Sequence, residues 1–206
     1  MEIWRKKCMF ARKYKAKMTK HEEKPHPLGI FQYCPVCGNP EFQINNEKSR
    51  RCAGCGFVYY FNPSAATVAV IVNERDELLV VRRAKEPAKG TLDLPGGFCD
   101  CAETAEQGVA REVMEETGLA VERCDYLFSI PNIYPYSGLD VHTMDLFFLC
   151  RVKGGQEAAA MDDAESLAWI PWSAVVPEEF GLHSVREGVI RLKMMRTNKK
   201  NVINNV

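Results

Sequence analysis

Glu112, Glu115 and Glu116 stand three and four residues apart in the run Arg111-Glu-Val-Met-Glu-Glu-Thr-Gly118. On a helix that spacing crowds three carboxylates onto one side, at a cost of roughly 0.2–0.5 kcal/mol per like-charged pair. The run ends at Gly118, so the acids fall in a last turn whose dipole already disfavours anions. A cluster set where helix electrostatics opposes it points to a compensating cation, and oxygen-only donors select a hard one, Mg²⁺ or Mn²⁺. Arg111 can pair with Glu115 one turn on and follows Glu103 by about two turns, a placement from which it can hold a carboxylate in position. The alternative for so acidic a segment is a solvated surface helix.

A second constellation is Cys34-Pro-Val-Cys37 and Cys52-Ala-Gly-Cys55, two CxxC pairs separated by fourteen residues and each followed by a glycine, Gly38 or Gly56. Four thiolates in this pattern match tetrahedral Zn²⁺ in a closed structural site, which leaves no coordination position open for catalysis. The rival is a redox dithiol, and two symmetric pairs within one short unit argue against it. Lys48, Arg50 and Arg51 between the pairs read as a solvated hairpin tip rather than a nucleic-acid grip. The remaining cysteines, Cys8, Cys99, Cys101, Cys124 and Cys150, follow no metal spacing. Cys150 ends an apolar strand and is expected in the core. A total of nine cysteines cannot pair completely, and no apolar signal region follows the basic N-terminus, so a reducing cytoplasm is the expected location.

The elements that must position these groups can be read in outline. Residues 1–30 are basic and then proline-bearing, a tail and linker; 31–62 hold the four metal-spaced cysteines. From Ser64 the runs Ala66–Val72 and Leu78–Val81, joined through Asn73–Glu77, read as a β-hairpin. Pro95-Gly96-Gly97 forces a turn, and a helix follows to Thr117, stopped by Gly118. Its start can be capped by Thr104 with Gln107 or by Asp100 with Glu103, and Val109 and Val113 supply its docking face. Further strands are expected near 120–130 and 142–152. A closing helix over 184–200 carries Val185, Val189, Leu192 and Met195 on one stripe.

Composition bounds the class. The 206 residues are 46% hydrophobic and 26% charged, which excludes a collagen, a pure coiled coil and a wholly disordered chain. No apolar run approaches the ~18 residues of a membrane-spanning helix. The formal net charge of zero conceals a division. Residues 1–24 carry nine Lys/Arg and three Asp/Glu, residues 183–206 six and one, and the middle twelve and twenty-three. An acidic body argues against a nucleic-acid-binding core and fits clustered metal-binding carboxylates.

The acidic segment resembles the Nudix box, GX₅EX₇REUXEEXGU with U aliphatic, through Gly97, Glu103, Arg111, Glu112, Val113, Glu115, Glu116, Gly118 and Leu119. The resemblance implies the Nudix fold over 63–206, an α/β/α sandwich around a mixed sheet, preceded by a zinc ribbon over 31–62. It implies hydrolysis of a nucleoside diphosphate linked to another group, with Glu112, Glu115, Glu116 and the Gly96 carbonyl holding Mg²⁺ or Mn²⁺ and with Glu103 and Arg111 orienting them. A late-loop carboxylate often joins such sites; of Asp162, Asp163 and Glu165, Glu165 is preferred. A ribbon before this domain is similar to the NAD(H) diphosphatases, whose SQPWPFPxS motif corresponds to Ser129-Ile-Pro-Asn-Ile-Tyr-Pro-Tyr-Ser137. Ser129, Pro131, Pro135 and Ser137 match, Tyr134 replaces Phe, and Ile130, Asn132 and Ile133 depart. NADH and ADP-ribose are thus equally expected substrates. Tyr134 and Tyr136 are candidates to stack on a base or ribose, the alternative being structural tyrosines between turn prolines. A small-molecule nucleotide partner and a homodimer are implied. The other readings are a non-catalytic nucleotide-sensing or partner-binding module and a diphosphatase acting on RNA-linked nucleotides.

Overall fold

The computed structural model describes residues 26–161 and 164–203. Most of the basic tail, and the candidates Asp162 and Asp163, lie outside these residues. The chain divides into two compact units, 1–61 and 62–206, each considered by itself.

In the first unit, β1 (Phe42–Asn46), β2 (Ser49–Cys52) and β3 (Val58–Tyr60) form an antiparallel sheet in the order β1-β2-β3. Its buried apolar residues among those described are Leu28 and the cluster of Cys34, Phe42 and Cys52, with Phe57 packed against that cluster. Each CxxC closes a tight turn: the Gly38 amide donates to the Cys34 carbonyl at 2.9 Å and the Gly56 amide to the Cys52 carbonyl at 3.1 Å. Both glycines are left-handed, with φ of 72° and 75°, a conformation that costs glycine nothing.

In the second unit, β4 (Ser64–Ile71), β5 (Glu77–Arg83) and β6 (Leu92–Asp93) precede helix α1 (Ala105–Thr117). Then come β7 (Val121–Tyr136), β8 (Leu139–Val152), β9 (Ala164–Pro171) and helix α2 (His183–Ile203). One sheet runs β4-β8-β7 and is mixed, β4 parallel and β7 antiparallel to β8; the other runs β6-β5-β9 and is antiparallel. The hairpin expected of β4 and β5 is therefore corrected. A single bridge, Val72 to Leu78, links them, because both edges of β4 are taken: β8 fills one, and Pro95–Cys99 the other. Ala69 and Thr67 amides donate to the Pro95 and Gly97 carbonyls at 2.7 and 2.8 Å, and the Cys99 amide to Ala65 at 3.0 Å.

Alternation along the strands sends side chains to two faces. Val68, Val70, Phe128, Ile130 and Phe147 pack with Val185, Val189 and Leu192 of α2. Ala69, Ile71, Phe148 and Cys150 pack with Val109 and Val113 of α1. The sheet thus lies between the two helices. Met195, expected on the α2 stripe, is exposed; at that end Arg196 lies over the Trp172 ring, 4.5 Å from its centroid, and pairs with Asp76. The prolines of 131 and 135 sit in β7 rather than in turns, which an edge strand tolerates. The β7–β8 connection is the pair Ser137-Gly138, both at positive φ, the geometry that continues strand twist through a two-residue hairpin. Among the described residues no helix is long and apolar enough to cross a membrane.

Candidate active site

Helix α1 begins at Thr104, whose hydroxyl accepts from the Gln107 amide while the Gln107 side chain accepts from the Thr104 amide, a reciprocal cap. It ends at Gly118, left-handed at φ 69°. Between these stops, Arg111 gathers the acids. Its Nη2 and Nε donate to Glu103 at 2.8 and 3.2 Å, its Nη1 donates to Glu112 and Glu115 at 2.9 Å each, and Nη2 also donates to the Phe98 carbonyl at 3.0 Å. The hydrogen bonds of Arg111, with that of the Asp100 amide, hold the Glu103 carboxyl below its ordinary range. Burial raises Glu112 despite the opposing pull of Arg111. Bonding to Glu103 and the other acids raises Arg111 further, so its charge is permanent.

Glu112 and Glu116 reach the Pro95–Gly97 turn. Glu116 accepts from the Gly96 amide at 3.1 Å, and a Cβ at Gly97 would stand 2.6 Å from Glu112 Oε1. Gly96, at φ 151°, lies so close to the Thr67 carbonyl that any side chain would collide with that backbone. The turn is pressed onto β4 and its acids converge around it. Carboxylate and carbonyl oxygens are the donor set a hard divalent ion takes, so the residues present fit one chemically.

The four thiol sulfurs fit Zn²⁺ by distance. All lie within 4.8 Å of one another, with Cys34–Cys55 at 3.7 Å and Cys37–Cys52 at 3.6 Å. Bonds of about 2.3 Å in a tetrahedron require sulfur separations of about 3.8 Å. They are the one such set among the described residues. The Cys55 amide, 3.4 Å from Cys52 Sγ, draws the Cys52 thiol down, while Cys37, against the downward pull of the Asn39 backbone, is pushed up by bonding among the crowded sulfurs.

A cavity of about 460 Å³ opens beside the acids, lined by Gly96, Gly97, Arg111, Glu112, Glu115 and Glu116 at one end and by Tyr134 and Tyr136 on β7. Tyr134 meets Phe98 edge-on at 5.7 Å. Glu165 stands exposed on β9 and is not among the lining residues.

Other residues of this cavity escaped the sequence reading. Arg83 pairs with buried Asp93 at 2.6 Å and donates to the Tyr134 hydroxyl at 3.2 Å and to the Pro87 carbonyl at 2.8 Å. Burial raises Asp93, with the guanidinium of Arg83 opposing. Asn132, Thr143 and Asp145 are buried on the inward face of β7 and β8. The available signal was the pattern itself: inward positions apolar along Phe128-x-Ile130 turn polar at Asn132, and Phe147 gives way to Asp145 and Thr143.

The model of the NUDIX domain family matches residues 62–192. The ADP-ribose pyrophosphatase of Methanocaldococcus jannaschii is 38% identical over 108 residues, covering 52% of this chain and 60% of that protein. The NAD-capped RNA hydrolase NudC of Haemophilus influenzae is 28% identical over 155 residues, covering 74% of this chain and 56% of that protein. The chain thus spans less than two thirds of the length of these curated relatives. Among solved structures, the MutT NUDIX hydrolase from Burkholderia pseudomallei superposes with a TM-score of 0.54 at 27% identity, over 62% of this chain and 96% of that one.

Proposed function

The chain belongs to the NUDIX family, and from that premise we propose that it hydrolyses the diphosphate linkage of a nucleoside diphosphate joined to another moiety, a dinucleotide or nucleotide sugar such as NADH or ADP-ribose. The observation that carries this reading is Arg111 holding Glu103, Glu112 and Glu115 beside a Gly96–Gly97 turn that Glu116 also reaches. Glu112, Glu115, Glu116 and the Gly96 carbonyl are the proposed holders of Mg²⁺ or Mn²⁺. The chemistry such an ion supplies when bound is neutralisation of the diphosphate and a lowered pKa for an attacking water. Arg111 and Glu103 keep the carboxylates aimed, and one cavity carboxylate accepts the water's proton. Tyr134 and Tyr136 line the same cavity and are proposed to pack on the nucleoside. The names of the two curated relatives support ADP-ribose-like and NAD-like substrates, and the second favours an RNA-linked one as the alternative.

We extend the proposal to a ribbon over 31–62 that holds one structural Zn²⁺, a hydrolase domain over 63–206, a homodimer and a cytoplasmic location. Incubation with a panel of nucleotides and Mg²⁺, counting released phosphomonoesters, tests the activity. Turnover of at least one diphosphate is expected, and Glu116→Gln should lower kcat by orders of magnitude with the fold intact. A protein that turns over nothing, or a variant as fast as wild type, overturns the reading.

A further inference from the structure

The cavity has a second chemically active end that diphosphate hydrolysis does not use. Asp145, on β8, is buried and its carboxylate accepts three hydrogen bonds, all from neutral groups: the Thr143 hydroxyl at 2.5 Å, the Asn132 amide nitrogen at 3.3 Å and the Ser184 hydroxyl at the start of α2. Asp93, the other buried aspartate of the cavity, has Arg83 as its counter-ion. Asp145 has no ion-pair partner among the described residues. A buried carboxylate is expensive unless its oxygens are fully engaged. Two oxygens offer about four acceptor sites, and the protein fills three. A cavity-facing acceptor with charge and spare capacity takes an N–H donor and repels a carbonyl oxygen.

Its position suits one end of a nucleotide. Asp145 pairs with Ala66 across the β4–β8 ladder, and β4 is in turn bonded to Gly97 on its other edge. The Gly96–Gly97 turn and Asp145 are thus two strand spacings apart, about 10 Å, a gap that a ribose and its base bridge. Tyr134, fixed through its hydroxyl by Arg83, supplies an aromatic wall nearby. We propose that Asp145 is a specificity residue that accepts a hydrogen bond from the 6-amine of the bound nucleotide's purine, so that the site prefers adenine nucleotides to hypoxanthine ones. The proposal deepens the diphosphatase reading and rests on it for the orientation of the ligand.

The test measures equilibrium binding of AMP, IMP and purine riboside 5′-monophosphate, which lacks the exocyclic group, to the full chain with Mg²⁺ by calorimetry. Wild type should bind AMP at least about tenfold more tightly than either analogue, the scale of a hydrogen bond to a charged group. In Asp145→Asn, whose amide can also donate, the AMP-to-IMP ratio should collapse toward one. Equal wild-type affinity for the three ligands overturns the proposal, whether or not the variant folds. So does an Asp145→Asn protein that keeps the wild-type ratio. Diphosphate turnover with no amine preference sinks this inference alone; amine preference with no turnover sinks the hydrolase reading and leaves the subsite standing.

Discussion

Arg111 shows what one side chain can organise. Its planar fork serves Glu103 at two donors, Glu112 and Glu115 at a third, and the Phe98 carbonyl besides, so three acids crowded together are held apart from mutual repulsion and in fixed orientation. A lysine would keep the charge and lose the fork, replacing five directed contacts with one compact ammonium. Arg111→Lys should therefore weaken activity or metal affinity by roughly 10–100-fold. The loss should appear as a raised Mg²⁺ requirement and lowered kcat, with the nucleotide KM at saturating Mg²⁺ little changed. Steady-state kinetics across a Mg²⁺ titration checks it, and a variant that needs no more Mg²⁺ than wild type removes Arg111 from this role. At this scale Arg111, Glu112, Glu115 and Glu116 were legible because helical spacing brings them to one side of α1, and Glu103, which precedes the helix, entered through the resemblance of the whole segment to the Nudix box. Asp93 and Asp145 were not, because what makes them noteworthy is burial on a face shared with residues distant in sequence.

At the scale of elements, the α2–sheet contact decides a substitution whose sign propensity alone would mispredict. Gly188 sits inside α2, where alanine is ordinarily favoured by about 1 kcal/mol. A Cβ there would enter the Phe147 ring. That ring is fully buried and stacked on Phe128 at 4.8 Å, so it has little room to yield. Overpacking of a close-packed core costs roughly 1–3 kcal/mol, which outweighs the propensity gain. Gly188→Ala should lower the thermal midpoint, measured by calorimetry; a rise would mean that α2 can lift from the sheet without penalty. The same kind of long-range decision defeated the local reading of β4 and β5. Two apolar, β-branched runs joined by Asn73–Glu77 read locally as a hairpin, yet the edge of β4 that β5 would need is held by Pro95–Cys99. Helix α1 was legible to its C-terminal stop because Gly118 acts within one turn of where it stands, and of the two N-caps the sequence offered, Thr104 with Gln107 is the one formed. The partners of β4 are chosen across the chain, β8 on one edge and Pro95–Cys99 on the other, and no local signal names them.

At the scale of the whole molecule, the two units differ in what holds them together. The unit of 62–206 buries two apolar clusters, one on each face of its mixed sheet. The first unit's buried cluster is Cys34, Phe42 and Cys52 with Phe57 beside them, and Leu28 is the one further buried apolar side chain among its described residues; two of the cluster's three are cysteines whose sulfurs belong to the four-thiol set. So small a core cannot offset the conformational entropy of its own residues, and a bound metal would contribute about 10–16 kcal/mol near neutral pH. One Zn²⁺ per chain is therefore expected by elemental analysis. Its removal by a strong chelator should abolish amide-exchange protection across 34–60 while leaving that of β4, β8 and α1 intact. Loss of protection in both units together would mean that the larger unit depends on the metal. Retention in both would mean that the ribbon folds on its apolar contacts alone, and would take the structural role away from the four thiolates.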